Sequence, residues 1–282
     1  RNQGRLLIAS VAVYNPEYAT TVPGLEQLAL DMARRNVDAA AQAAGGIPYA
    51  LTLPWPPNRQ NTFLLGIDVG HPLHGNESWV AMSVLDHQGL LLGTWRRCQK
   101  RNETIHPKIL QLGLKWAHNR ILASANTSDT GVLVLRDGRL PPGEPIATYR
   151  NTLKMPLTMV EVDKRRNPEA YLADKSISPA SVGTEIDVGG DTTRFIVPIS
   201  PRLSNDLAKT LKLYLRRDWD GLNLGFDTVS ELVIGLSYAP GLGLQPHALP
   251  APIYWADGIA AMGPTNHQFS GLRTDISMPD EY

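Results

Sequence analysis

"FLLGIDVGHPLHGNES", residues 63–78, places one acidic side chain, Asp68, after a run of apolar residues and sets glycines and histidines around it. Three readings of Asp68 are open: a metal ligand, an aspartate of a phosphate loop, or the polar residue that ends a strand. The third is ordinary, because aspartate before a glycine is common turn chemistry. The other two depend on what the rest of the chain brings to the same place.

The neighbouring segments are strand-like. After the proline-rich "TLPWPPNRQN" (52–61), "TFLLGIDVG", "SWVAMSVLD" and "LLLGTWRRC" are β-branched and apolar. "DHQG" (86–89) is a turn signal joining the last two into a hairpin. A helix is expected from about His106 to Ala123, with Ile109, Leu110, Leu112, Leu114, Trp116 and Ala117 as its apolar face. The strand "GVLVLRDG" (131–138) then ends in a second aspartate, Asp137. Three meandering strands, a crossover helix and a fourth strand form the RNase H-like order, in which strands one and four lie side by side. That order predicts that Asp68 and Asp137 meet. Further strands are expected at 156–165, 193–200 and 207–217, with helices near 228–238 and 252–262. At the N-terminus, a strand (5–14) and an alanine-rich helix (24–46) form an αβ unit, and the clearest composition break is 52–61.

The totals narrow the classes. The 282 residues are 43% hydrophobic, enough for a sizeable core, and Lys+Arg balances Asp+Glu at 27 each. A nucleic-acid partner must therefore be held by local patches rather than by net charge. The single cysteine, Cys98, leaves neither an internal disulfide nor a cysteine-rich zinc site and fits a reducing, cytoplasmic setting. His71, His74, His106 and His118 are scattered without an HExxH companion. Neither a membrane-spanning run nor a signal-peptide pattern is visible. A start at Arg1 leading straight into a strand suggests a piece of something longer.

Four acids stand out by context: Asp68, Glu103 in the polar loop "RRCQKRNETIHP", Asp137, and Asp257 in the helical "LPAPIYWADGIAAM". Two-metal phosphodiester hydrolysis needs about this set, since two hard cations roughly 4 Å apart take oxygen ligands while water and phosphate fill the remaining positions. Without a cation such carboxylates repel one another.

In its ordered motifs the chain resembles a known family. "AAGGIPYAL", "FLLGIDVGH", "CQKRNETIHPK", "VLVLRDGRLPPGE", "VEVDKRR" and "LPAPIYWADGIA" match, in order, the pattern of the end of the MID domain plus the PIWI domain of prokaryotic Argonaute proteins, from about Gly4 to Leu272. The resemblance implies an α/β fold, an RNase H-like mixed sheet flanked by helices (PIWI, 59–282), preceded by a partial Rossmann-like MID segment (1–58). It implies a nucleic-acid-guided endonuclease, serving host defence against invading DNA, that cuts a guide-paired target strand with two Mg²⁺ or Mn²⁺. Asp68, Asp137 and Asp257 match the family's metal-binding aspartates, and Glu103 matches its mobile glutamate finger.

Backbone contacts to guide and target, each DNA or RNA, are expected from Lys100 and Arg101 and from Lys164, Arg165 and Arg166, with Arg139 and Arg150 as weaker candidates. Where many relatives carry lysines for the guide's 5′-phosphate, this chain has Ala39 and Ala43. That departure points to guides with a 5′-hydroxyl, or to a phosphate fixed by a metal and residues preceding this chain, with Gln42 a polar contact near the guide end. Guide 3′-end capture would need N-terminal, PAZ and further MID portions or a partner.

Two rival readings remain. "GIDVG" also resembles the first phosphate motif of actin-like sugar kinases, but His71 and Pro72 stand where those carry Thr or Ser, and a second glycine-rich hairpin is missing. A silent guide-binding module is the other; the presence of all four acids weighs against it. His71 itself has no assigned purpose at this level.

Overall fold

The computed structural model describes residues 51–72, 76–125, 129–144, 146–165, 167–173, 177–188, 192–200, 207–216, 221–239, 246–262 and 274–276. The strand and helix expected at 5–14 and 24–46, with Gln42, and also Arg166 and His74, lie outside them.

The chain runs through β1 (Thr62–Gly70), β2 (Glu77–Leu85), β3 (Leu91–Lys100), α1 (Pro107–Ser124), β4 (Gly131–Asp137), α2 (Ile146–Leu153) and β5 (Leu157–Asp163). Then come β6 (Glu169–Ala173), β7 (Ile177–Pro179), β8 (Glu185–Asp187), β9 (Thr193–Ile196), β10 (Ala208–Lys209), β11 (Leu211–Leu215), α3 (Phe226–Leu236), α4 (Ala251–Ala261) and β12 (Thr274–Ile276). Nine strands form one mixed sheet in the order β12-β3-β2-β1-β4-β5-β11-β9-β8, while β10, β6 and β7 form a small second sheet. β1 to β3 are an antiparallel meander, and β4 lies parallel beside β1 with Ile67 opposite Arg136. The crossover expectation is met, and Asp68 and Asp137 fall at the same end of neighbouring strands. The hairpin is closed as "DHQG" predicts: Asp86 Oδ1 accepts from the backbone N–H of Gln88 and Leu90, and Gly89 takes φ +82°.

Both faces of the central strands are covered, so their sequences read as near-continuous apolar runs. On one face Leu64, Leu133, Leu135, Val160 and Val162 pack with Val229, Leu232 and Val233 of α3 and with Ile253 of α4. On the other, Leu65, Ile67, Val132, Val134 and Met159 pack with Leu110, Leu114, Ala117 and Ile121 of α1 and with Tyr149 and Leu153 of α2. Leu53 and Trp55 join the first cluster, and Trp55 Nε1 donates to His87 O at 2.8 Å. Among the described residues no helix is long and apolar enough to cross a membrane.

Three local expectations differ from what is found. Helix α1 starts one residue later, because His106 is its cap: the imidazole Nδ1 accepts from Lys108 N at 3.3 Å and Pro107 fills the first turn. Leu112, assigned to the apolar face, is 41% exposed, whereas Gly113 is buried against the side chains of Met82 and Trp95. The single strand expected at 207–217 divides into β10 and β11, which belong to different sheets.

Candidate active site

The two glycines of "GIDVG" explain how a helix reaches Asp68. Gly66 and Gly70 sit two residues before and after it, on the same face of β1 by strand alternation. A Cβ on Gly66 would lie 2.0 Å from Pro252 O, and one on Gly70 would lie 2.8 Å from Ala260. Both contacts are with α4 or its first turn, so the missing side chains let that helix lie directly across the strand. Ser83 Oγ on β2 donates to Pro252 O at 2.6 Å and fixes the crossing, while Ala81, Ala256, Ile259 and Ala260 fill the thin gap. The glycines therefore act as a seat for α4. Asp257 on α4 is thereby lowered onto Asp68 and Asp137.

Asp68, Asp137 and Asp257 each offer a carboxylate oxygen within 4.8 Å of the others. Asp68 is 6% exposed, and the side chains of Asp137 and Asp257 are 8% and 41% exposed. Burial, with the charge of Asp137 and a hydrogen bond shared with it, pushes the Asp68 carboxyl up to about 7. With both carboxylates ionised, no group donates to the buried Asp137 Oδ1. Among the described residues Lys164 is bonded to the cluster: its Nζ lies 3.1 Å from Asp137 Oδ2 and bonds Asp257 Oδ1 closely. Burial lowers the Lys164 pKa, but Asp137 and Asp257 outweigh it and keep the ammonium above its usual range. Three carboxylates that repel one another around one bonded ammonium make an all-oxygen donor set that suits hard divalent cations.

Glu103 is not among the three mutually close acids, but it lines the same cavity, of about 440 Å³, with Asp68, Asp137, Arg139, Lys164 and Arg165. Its carboxylate is held by a residue that sequence reasoning left unassigned: His71 Nε2 lies 2.9 Å from Glu103 Oε1. His71 Nδ1 is 2.8 Å from Ser78 Oγ, which also accepts from Asn102 N at 2.9 Å. The loop is fastened below by Gln99, whose Nε2 donates to Asn102 O and Thr104 O and whose Oε1 accepts from His106 N.

A second layer lies on the opposite face of β4. Arg136, fully buried, donates through Nη1 to Asp137 O at 2.6 Å and through Nη2 to Glu103 O at 3.5 Å, and pairs with Glu144 Oε2 at 3.5 Å. Tyr149 of α2 donates to Glu144 Oε1 at 2.5 Å. Burial, and then the Glu144 charge, raise the Tyr149 hydroxyl well above its usual range. Beside it, the buried Glu161 takes Arg139 Nε at 2.6 Å and Arg216 Nη1 at 3.2 Å. A lone charge inside an apolar strand, as in "GVLVLRD" and "LTMVEVD", was the available signal for both networks.

The basic candidates divide. Lys164 and Arg165 line the carboxylate cavity, whereas Lys100 and Arg101 line another, of about 600 Å³, with Asn102, Thr104 and His106.

Known structures carry this arrangement of strands and helices. The chain is similar to Clostridium butyricum Argonaute, solved bound to a guide DNA and a 19-mer target DNA, with a TM-score of 0.69 and 19% identity over 82% of this chain and 30% of that one. It is similar to Marinitoga piezophila Argonaute in complex with a 5′ OH guide RNA (TM-score 0.62, 19% identity, 84% of this chain, 35% of that one). Aquifex aeolicus Argonaute gives a TM-score of 0.60 at 16% identity, over 89% of this chain and 34% of that one. The chain thus spans about a third of the length of these neighbours. No family model matches it, and no curated protein does. What these likenesses establish is the fold: this chain has the PIWI-like, RNase H-type fold of prokaryotic Argonaute proteins.

Proposed function

We propose that this chain is the cutting part of a nucleic-acid-guided endonuclease, hydrolysing a phosphodiester in a target strand paired to a guide. The observation that carries the reading is the convergence of Asp68, Asp137 and Asp257, from two strands and a helix, at the strand ends of this fold. Those three residues would hold two Mg²⁺ or Mn²⁺, which supply Lewis-acid activation of a water and of the phosphate when bound. Hydrolysis joins the water oxygen to phosphorus and breaks the bond to the 3′-oxygen, leaving a 3′-hydroxyl and a 5′-phosphate.

The chain's own residues do the rest. Glu103, which lines the same cavity, accepts a hydrogen bond from a water in the site, and the bond from His71 limits the positions its exposed carboxylate takes. Lys164 bonds Asp137 and Asp257, which places its ammonium where it would also meet a phosphate oxygen of the bound strand. Lys164, Arg165 and Arg166 contact one strand's backbone, and Lys100 and Arg101 contact backbone beyond the Glu103 loop. Such contacts carry no sequence, which is read by base pairing with the guide. Residues 1–58, with Gln42, are read as the end of a MID domain receiving the guide's 5′ end. The structures of similar proteins hold guide DNA, target DNA or a 5′ OH guide RNA, which supports both kinds of partner and a 5′-hydroxyl guide. Host defence against invading DNA is the biological setting this chemistry would serve.

The test is a cleavage matrix: DNA and RNA guides, each with 5′-phosphate or 5′-hydroxyl, against DNA and RNA targets in Mn²⁺. Guide-dependent products that vanish in Asp68→Ala and Asp137→Ala support the proposal. Guide binding without product favours the silent module, and guide-independent nucleotide binding favours the kinase-type reading.

A further inference from the structure

The carboxylate cavity also presents a cation whose place is fixed from beneath. β4 ends at Asp137, and the chain turns at Gly138, which takes φ +70° and donates from its backbone N–H to Val162 O at 2.8 Å. The next residue, Arg139, is brought back over the sheet. Its Nε lies 2.6 Å from Glu161 Oε2, and its Cζ stands 3.7 Å from the centroid of the Tyr214 ring. Glu161 and Tyr214 are directly opposite each other in the β5–β11 register, so together they make one floor under the guanidinium. Even so, 57% of the Arg139 side chain is exposed, and it lines the cavity that holds Asp68, Asp137 and Glu103.

Two features separate Arg139 from an ordinary surface arginine. Glu161 has a side chain only 1% exposed and takes two arginines, Arg139 and Arg216. An ionised carboxylate is costly to bury, and this one holds a guanidinium at a cavity rim. The same tether keeps Arg139 from collapsing onto the aspartates, as the untethered Lys164 does. What remains is an oriented, permanently charged, weakly hydrated plane beside the carboxylates, the group best suited to a phosphate oxygen.

We propose that Arg139 is a pre-built phosphate-binding group, floored by Glu161 and Tyr214, for a backbone phosphate close to the one that reaches the three aspartates. The proposal rests on the reading of this chain as a nucleic-acid-binding endonuclease. It gives Arg139 a ligand class, the phosphodiester of the strand being cut, and gives Glu161 and Tyr214 the role of positioning it.

The experiment is fluorescence anisotropy with the full chain, using a short labelled single-stranded DNA and the same strand paired to a guide, with Ca²⁺ in place of Mn²⁺, across a salt series. Arg139→Ala is expected to weaken binding about five- to tenfold and to flatten the dependence of log K on log salt by about 0.7 for the single strand, one phosphate contact's worth. Arg139→Lys is expected to restore the slope without restoring full affinity. Tyr214→Leu, which leaves every charge in place, is expected to weaken binding at an unchanged slope; melting curves of each variant separate these effects from unfolding. Arg139→Ala binding like wild type, while Lys164→Ala or Arg165→Ala binds less, overturns the proposal and leaves the nucleic-acid reading intact. Tyr214→Leu binding like wild type overturns the pre-built floor, and a wild-type chain that binds neither probe overturns both readings.

Discussion

Arg136 and Asp137 are neighbours on β4, yet strand alternation sends them to opposite faces of the sheet, where charge is treated in opposite ways. On the Arg136 face every buried charge meets a protein partner: Arg136 with Glu144, and Glu161 with Arg139 and Arg216. On the Asp137 face the three carboxylates lie within 4.8 Å of one another, and Lys164 bonds two of them. Desolvation makes buried charge expensive on either side. On the first face the Arg136–Glu144 pair is closed off by side chains of the same chain, while Arg139 reaches the cavity rim. The second face gathers carboxylates that repel one another, which is the condition a bound cation would relieve.

The sharpest way to break this contrast is to neutralise one residue on each face. Asp137→Asn on the open face is expected to abolish Mn²⁺ uptake and to lower guided cleavage by about 10³ or more, the scale of losing a principal catalytic group. The same substitution should leave the melting temperature of the cation-free protein unchanged or higher, because it removes like-charge repulsion. On the closed face, Glu144→Ala strands Arg136 in the interior and is expected to destabilise the fold by about 3–5 kcal/mol, readable in urea or thermal unfolding. A destabilising Asp137→Asn paired with a harmless Glu144→Ala would reverse the assignment.

Gly66→Ala tests how the open face is assembled. Its new Cβ would meet the Pro252 carbonyl, so α4 must shift, at about 1–3 kcal/mol of strain. Mn²⁺ affinity should fall with it, because Asp257 rides on that helix. Titrating a folded Gly66→Ala protein by calorimetry checks this, and wild-type affinity would mean that the helix does not set the site.

His71→Ala is expected to be milder, with kcat reduced about tenfold and Mn²⁺ affinity kept, because His71 bonds Glu103 rather than the three aspartates. Single-turnover kinetics beside calorimetry separates the two quantities.

The pH dependence has a definite sign. The Asp68 carboxyl is raised from 3.8 to about 7, so between those values the folded chain holds a proton that the unfolded chain has released. The contribution of Asp68 to the stability of the cation-free protein should therefore be fully present below about pH 4, decline as pH rises, and be lost above about 7. Mn²⁺ should flatten that decline. Melting curves in EDTA and in Mn²⁺ across this range check it.

How much was legible in the sequence depends on where each signal resides. Strand order and the three aspartates were readable because apolar runs and terminal acids are local patterns, and the crossover rule then places β1 beside β4. Helix α2 was not: "IATYRNTL" is only eight residues, too short to stand out by periodicity, and its stability comes from packing of Tyr149 and Leu153 on α1 and the sheet. The role of Gly66 and Gly70 was hidden for a related reason, since only the distance to α4 shows that they form its seat. His71 and Glu161 escaped because their partners, Glu103 and Arg139 with Arg216, are remote in sequence.

The most direct test of the central claim is a calorimetric titration of the chain with Mn²⁺, beside Asp68→Asn and Asp137→Asn. Saturable uptake in the wild type that both substitutions remove, with their melting curves intact, is the predicted result. No uptake in the wild type, or equal uptake in all three proteins, would show that the carboxylate cluster at the end of β4 is not a metal site.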